Sequence, residues 1–146
     1  MKILFVCWGN ICRSPVAHAI MQKLVDENEL DWQIESAGTQ ADFSSPDADP
    51  RMRTVAAKHD LIYSHKPRQF LKSDLDDYDL ILVSDEKREF DILMMTESTE
   101  QKGKVKLLRS FYDSDKTIPD PYYNGDFEGV FKLIKNCCEG VLEKFK

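Results

Sequence analysis

Cys7 and Arg13 stand six positions apart in Val6-Cys7-Trp8-Gly9-Asn10-Ile11-Cys12-Arg13-Ser14-Pro15. A thiolate is a nucleophile, and a guanidinium forks onto two oxygens of a phosphate. Attack of the Cys7 sulfur on phosphorus gives a phosphocysteine, with Arg13 following the charge into the transition state. The leaving oxygen then needs a proton. Asp120, fixed between Pro119 and Pro121, is the candidate general acid, and Tyr122 and Tyr123 beside it can wall an aromatic slot. By itself Pro119–Tyr123 reads equally well as a Pro-rich surface turn. Composition does not single out Asp120 among the carboxylates.

These groups act only if the chain brings them together. Lys2–Val6 reads as a buried strand. Ser14 is expected as N-cap and Pro15 as the first residue of a helix, so the thiol and guanidinium share a strand-to-helix turn. Free backbone N–H groups at such a helix start favour an anion and a thiolate. Gly9 is expected to allow close approach and unusual dihedrals, and Asn10 to accept a left-handed conformation. Ser14 can also hydrogen-bond the sulfur.

Strands are expected at Ile3–Val6, Trp32–Ser36, Leu80–Ser84 and Val105–Leu108. Helices follow Ser14-Pro15 and Asp49-Pro50, cover Asp85–Met95, and form the stripe Phe127, Val130, Phe131, Ile134, Cys138, Val141, Leu142 and Phe145. The alternation implies an α/β domain with a mainly parallel four-stranded sheet and helices on both faces. Ligands bind such sheets at the carboxyl ends of strands, where the Cys7 loop lies. Gln40–Asp49 and Glu97–Lys104 read as polar loops, and Ser110–Gly125 as the longest irregular stretch.

The 146 residues suit one domain spanning the chain. No apolar run approaches a membrane span, and the N-terminal one is too short for a signal peptide, so the expected compartment is the cytoplasm. A net charge of −6 argues against nucleic acid and membrane as partners. It also means that anion affinity must be local. The four cysteines, Cys7, Cys12, Cys137 and Cys138, have no spacing that suggests a zinc site or a disulfide scaffold, and no metal or cofactor is expected.

Together the two motifs resemble the low-molecular-weight protein tyrosine phosphatases. Val6–Pro15 matches that family's V-C-x-G-N-I-C-R-S-P loop, and Asp120–Tyr123 matches its D-P-Y-Y motif. The likeness extends through Ser36-Ala37-Gly38-Thr39, Asp49-Pro50-Arg51, His65–Gln69, Asp77-Tyr78-Asp79 and the Cys137-Cys138 pair, and so covers essentially the whole chain. It implies phosphotyrosine hydrolysis, with phosphotyrosine proteins as substrates, inorganic phosphate or other oxyanions in the site and no cofactor. Cys7 is implied as nucleophile, Arg13 as clamp, and Asp120 as acid and then base. Asn10, Ser14, Ser36 and His65 match supporting positions, and Trp8, Gly9, Ile11 and Cys12 complete the loop. The resemblance also implies a reversible Cys7–Cys12 disulfide.

Two positions depart from the family pattern. His18 stands where Glu is common, and Trp8 where a smaller apolar residue is usual. Trp8 and Phe43 are expected on the substrate wall with Tyr122 and Tyr123. Three alternatives compete. An arginine phosphatase typically carries Thr where this chain has Ile11 and lacks the Tyr pair. An arsenate reductase needs a further Cys pair near residues 80–90, which is absent here. A non-catalytic phosphotyrosine-binding module would have lost Cys7 or Asp120.

Overall fold

The computed structural model describes residues 1–146. Strands β1 (Lys2–Cys7), β2 (Gln33–Gly38), β3 (Leu80–Val83) and β4 (Val105–Leu107) form one sheet in the order β2-β1-β3-β4, with every pairing parallel. The helices are α1 (Arg13–Glu27), α2 (Pro50–Lys58), α3 (Asp74–Asp77), α4 (Glu86–Leu93), α5 (Thr99–Lys104), α6 (Pro121–Asn124) and α7 (Phe127–Phe145). A single 3-10 turn covers Leu108–Phe111. This is the architecture expected from the alternating pattern.

β1 explains why the strands read as apolar runs. Its side chains alternate between two faces, and both faces are covered. Ile3 and Phe5 join a core with Val16, Ile20 and Met21 of α1, Met52 of α2 and Ile134 of α7. Leu4 and Val6 join a second core with Leu75 of α3 and Ile92 of α4. β1 also lies between β2 and β3, so the order reverses beside it. The crevice at its carboxyl end, just past Cys7, is the switch point where parallel sheets take ligands.

Several element ends differ from the sequence expectation. α1 begins at Arg13, with Cys12 at the N-cap and no side-chain cap, so Ser14 lies inside the first turn. The Ser14 hydroxyl is engaged by Cys7 and Asn10 and does not cap the helix. Pro15 still fits, because a first-turn residue needs no backbone donor. Asp49 and Asp85 do cap α2 and α4, accepting from the N–H groups of Arg51 and Arg88. Glu97–Lys104 is not all loop, because Ser98 accepts from Gln101 N–H and starts α5. β2 begins at Gln33 and runs on to Gly38, since Ala37 and Gly38 keep pairing with Val6 and Cys7. No helix is long and apolar enough to cross a membrane.

Candidate active site

The Cys7–Arg13 loop is fixed by its carbonyls. Those of Cys7, Trp8, Gly9 and Ile11 accept from the N–H groups of Thr39, Gln40, Asp42 and Asp49, at 3.0, 2.8, 3.0 and 2.7 Å. The segment after β2 thus zips along the outside of the loop. The N–H groups of Trp8, Gly9, Asn10, Ile11 and Cys12 donate to no protein acceptor. Together with the uncapped start of α1 they form a set of free donors suited to an oxyanion.

Asn10 holds the loop from behind. It has φ 58°, the left-handed conformation expected of it, and is fully buried. Its Nδ2 donates to Ser14 Oγ at 2.8 Å and to Ser36 Oγ at 3.1 Å. Its Oδ1 accepts from Arg68 N–H at 2.7 Å and from His65 Nε2 at 2.8 Å. The Arg68 amide can only donate, so that atom is the oxygen, and His65 must carry its proton on Nε2. Burial, then the neighbouring His18, push the His65 pKa down, which keeps the ring neutral near pH 7. Every hydrogen-bonding position of the Asn10 amide is therefore filled, as a buried amide requires.

Gly9 lacks the unusual dihedral expected of it. Its φ is not positive, and a Cβ there would make only ordinary contact, 3.7 Å from Ile11 Cγ1. The glycine that the loop needs is Gly38, where a Cβ would lie 2.6 Å from the Trp8 carbonyl oxygen.

Cys7, Arg13 and Asp120 line one cavity of about 330 Å³ with Trp8, Ile11, Cys12, Tyr122 and Tyr123. Cys7 Sγ lies 3.0 Å from Ser14 Oγ. Arg13 Nη1 donates to Asp85 Oδ2 at 3.1 Å and to the Ile118 carbonyl at 2.8 Å. With Nη1 engaged, Nε and Nη2 remain for a ligand, and Nη2 lies 3.7 Å from Asp120 Oδ2. Asp120 caps α6 by accepting Tyr122 N–H on Oδ1, which leaves Oδ2 toward Arg13.

Ser36 and His65 sit behind the loop and outside the cavity lining. Phe43 is 70% exposed and does not line the cavity; its neighbour Asp42 does. An Asx turn onto Ser44 N–H and Oγ takes up the Asp42 carboxylate. Tyr122 and Tyr123 form an edge-to-face pair at 5.1 Å, with the Arg51 guanidinium 5.7 Å over the Tyr122 ring.

Asp85 and Asp49 were missed as site residues because the sequence marks Asp49 only as a helix cap and Asp85 only as the first residue of a helix. Burial raises the Asp85 pKa, but Arg88 N–H and then Arg13 lower it further, and it ends below the usual carboxylate value. Cys12 is buried, and desolvation followed by the Asp49 charge pushes its thiol well up. Burial likewise raises Cys137, to about 12, and Cys138, so both behave as packing residues of α7.

A loop of free amides carrying a cysteine and an arginine, set at the switch point of a parallel sheet, defines an anion-binding α/β enzyme. The chain belongs to the low molecular weight phosphotyrosine protein phosphatase family, whose model matches residues 2–146. It is 39% identical over 150 residues to the chicken low molecular weight phosphotyrosine protein phosphatase, covering 98% of this chain and 94% of that one. The protein tyrosine phosphatase of Entamoeba histolytica, solved with Hepes in its active site, superposes with a TM-score of 0.91 at 32% identity, covering 99% of this chain and 96% of that one. The Drosophila arginine phosphatase also superposes with a TM-score of 0.91 at 32% identity, covering 100% and 98%.

Proposed function

We propose that residues 1–146 act as one cytoplasmic phosphatase domain that hydrolyses phosphotyrosine through a phosphocysteine on Cys7. The observation that carries this reading is the convergence of Cys7, Arg13 and Asp120 on one cavity. The free N–H groups of the loop and Arg13 Nε and Nη2 bind the phosphate oxygens. The Cys7 thiolate attacks phosphorus, an S–P bond forms, and the P–O bond to the tyrosyl ring breaks. Asp120 Oδ2 gives its proton to the departing phenolate. Asp120 then takes a proton from water, which attacks phosphorus and breaks the S–P bond. Inorganic phosphate leaves, and the Ser14 hydroxyl stabilises the returning thiolate. Ser14 Oγ accepts from Asn10 Nδ2, and its proton has two acceptors in reach, the sulfur at 3.0 Å and the Ala37 carbonyl at 3.4 Å.

The aromatic wall supports an aryl substrate. Trp8, Tyr122 and Tyr123 line the cavity and are 51%, 65% and 83% exposed, open to a ring entering from solvent. The likeness to an arginine phosphatase favours phosphoarginine as a second reading. Against it stand the Tyr pair and Ile11. Hydrolysis rates on matched phosphotyrosine, phosphoserine and phosphoarginine peptides test the choice. Phosphotyrosine is expected to be fastest; phosphoarginine as the preferred substrate would overturn the reading.

Cys7 and Cys12 line the same cavity, which supports redox control. Peroxide oxidises the Cys7 sulfur to a sulfenic acid, and the Cys12 thiol displaces water to close a disulfide. Dithiothreitol then reduces it and restores the enzyme.

A further inference from the structure

Trp8 borders two cavities, and the catalytic one is only the first. The second is a separate groove of about 200 Å³, lined by Trp8, Phe70 and Met95, with Thr39, Gln40 and Asp91 among its polar residues. Trp8, half exposed, therefore adjoins both. A ring bound over Cys7 leaves the next part of the same ligand beside this groove.

The polar groups of the groove are unequally occupied. Gln69, which also lines it, is spent, since its amide bonds both Thr39 O and Ala41 N–H. Thr39 Oγ1 is buried and has no hydrogen-bond partner, although the Thr39 backbone is fully engaged. A buried hydroxyl without a partner is costly unless a ligand or water supplies one. Asp91, on α4, is half exposed, and its only cation is Arg88 Nε at 3.8 Å, beyond hydrogen-bonding distance. The groove thus combines apolar surface from Trp8, Phe70 and Met95 with a weakly compensated carboxylate on Asp91. Lysine and arginine complement that combination, with an aliphatic stem and a cationic head.

We propose that this groove is a substrate subsite, and that it takes a lysine or arginine side chain flanking the phosphotyrosine. The inference rests on the phosphotyrosine reading and adds the sequence context that the enzyme selects.

The test uses phosphotyrosine peptides with alanine flanks and, in turn, a single Lys or Glu at each flanking position. The ratio of kcat/KM for Lys over Glu is expected to reach about five-fold at one position, the range of a partly exposed ion pair. Asp91→Asn should bring that ratio to about unity, and Asp91→Lys should invert it, which loss of stability cannot do. Equal kcat/KM for Lys and Glu at every position, with the alanine peptide hydrolysed, would overturn the subsite and leave the phosphatase reading intact. A Lys preference that survives in Asp91→Asn would also overturn it, placing selection in the general acidic field. Failure to hydrolyse any phosphotyrosine peptide would overturn both.

Discussion

Arg13 Nη1 lies 3.1 Å from Asp85 Oδ2, and both side chains are buried. The guanidinium that faces the cavity is therefore held from behind by a carboxylate on the β3–α4 turn. Ser84 Oγ and Arg88 N–H hold that carboxylate in turn, at 3.1 and 2.8 Å. Removing one partner of such a pair strands the other.

The pair has a pH signature. The folded pKa of Asp85 lies below its ordinary value of 3.8. Its contribution to stability is therefore present above that value and is lost as pH falls through the lower, folded one. Urea unfolding of wild type and Asp85→Asn is expected to show a stability gap that narrows as pH drops below about 4. A gap independent of pH would remove the charge from the account. At neutral pH, kcat/KM of Asp85→Asn should fall by about 10²-fold through misplacement of Arg13.

Asp120→Asn should slow turnover by roughly 10²–10⁴-fold on substrates with poor leaving groups. The loss should shrink as the leaving group becomes more acidic, because less proton donation is needed. A leaving-group series of aryl phosphates measures this. A uniform loss across the series would mean that Asp120 only caps α6 and positions Tyr122.

The sequence was informative where local chemistry decides the outcome. Buried strands, the Asp49 cap, the left-handed Asn10 and the α7 stripe follow from nearest neighbours and periodicity. The Cys7–Arg13 loop and Asp120 were legible because their motifs are specific. Contacts made through the fold were not. Nothing near Arg13 in the chain announces Asp85 or the Ile118 carbonyl as its partners. Ser14-Pro15 looks like a cap and first turn, but the buried sulfur and Asn10 compete for the hydroxyl and move the helix start to Arg13. Gly9 is expected to take the unusual dihedral because it sits in the loop, whereas the tight packing against the Trp8 carbonyl falls on Gly38 of the neighbouring strand.

Trp8→Ala should reduce kcat/KM more for a phosphotyrosine peptide than for a small alkyl phosphate. The indole lines the cavity and has ring surface to give to an aryl group. Equal losses on both substrates would assign Trp8 to loop support. Phe43→Ala should leave both rates near wild type, since that ring lies outside the cavity lining.

Peroxide treatment followed by dithiothreitol should restore wild-type activity and yield a peptide linking Cys7 to Cys12. Cys12→Ser should recover much less. Because burial holds the Cys12 thiol protonated, disulfide closure should speed up as pH rises. Equal recovery in both proteins, with no linked peptide, would leave Cys12 as packing beneath the loop.

The most direct test is rapid acid quenching of the enzyme during turnover of a phosphotyrosine peptide, followed by mass spectrometry of the peptide that contains Cys7. The account predicts a phosphoryl group on the Cys7 sulfur in the wild type. It predicts none in Cys7→Ser, which should bind vanadate through Arg13 and the loop amides without turning over substrate. Substantial turnover by Cys7→Ser, or wild-type turnover with no phosphorylated Cys7 at any quench time, would contradict it.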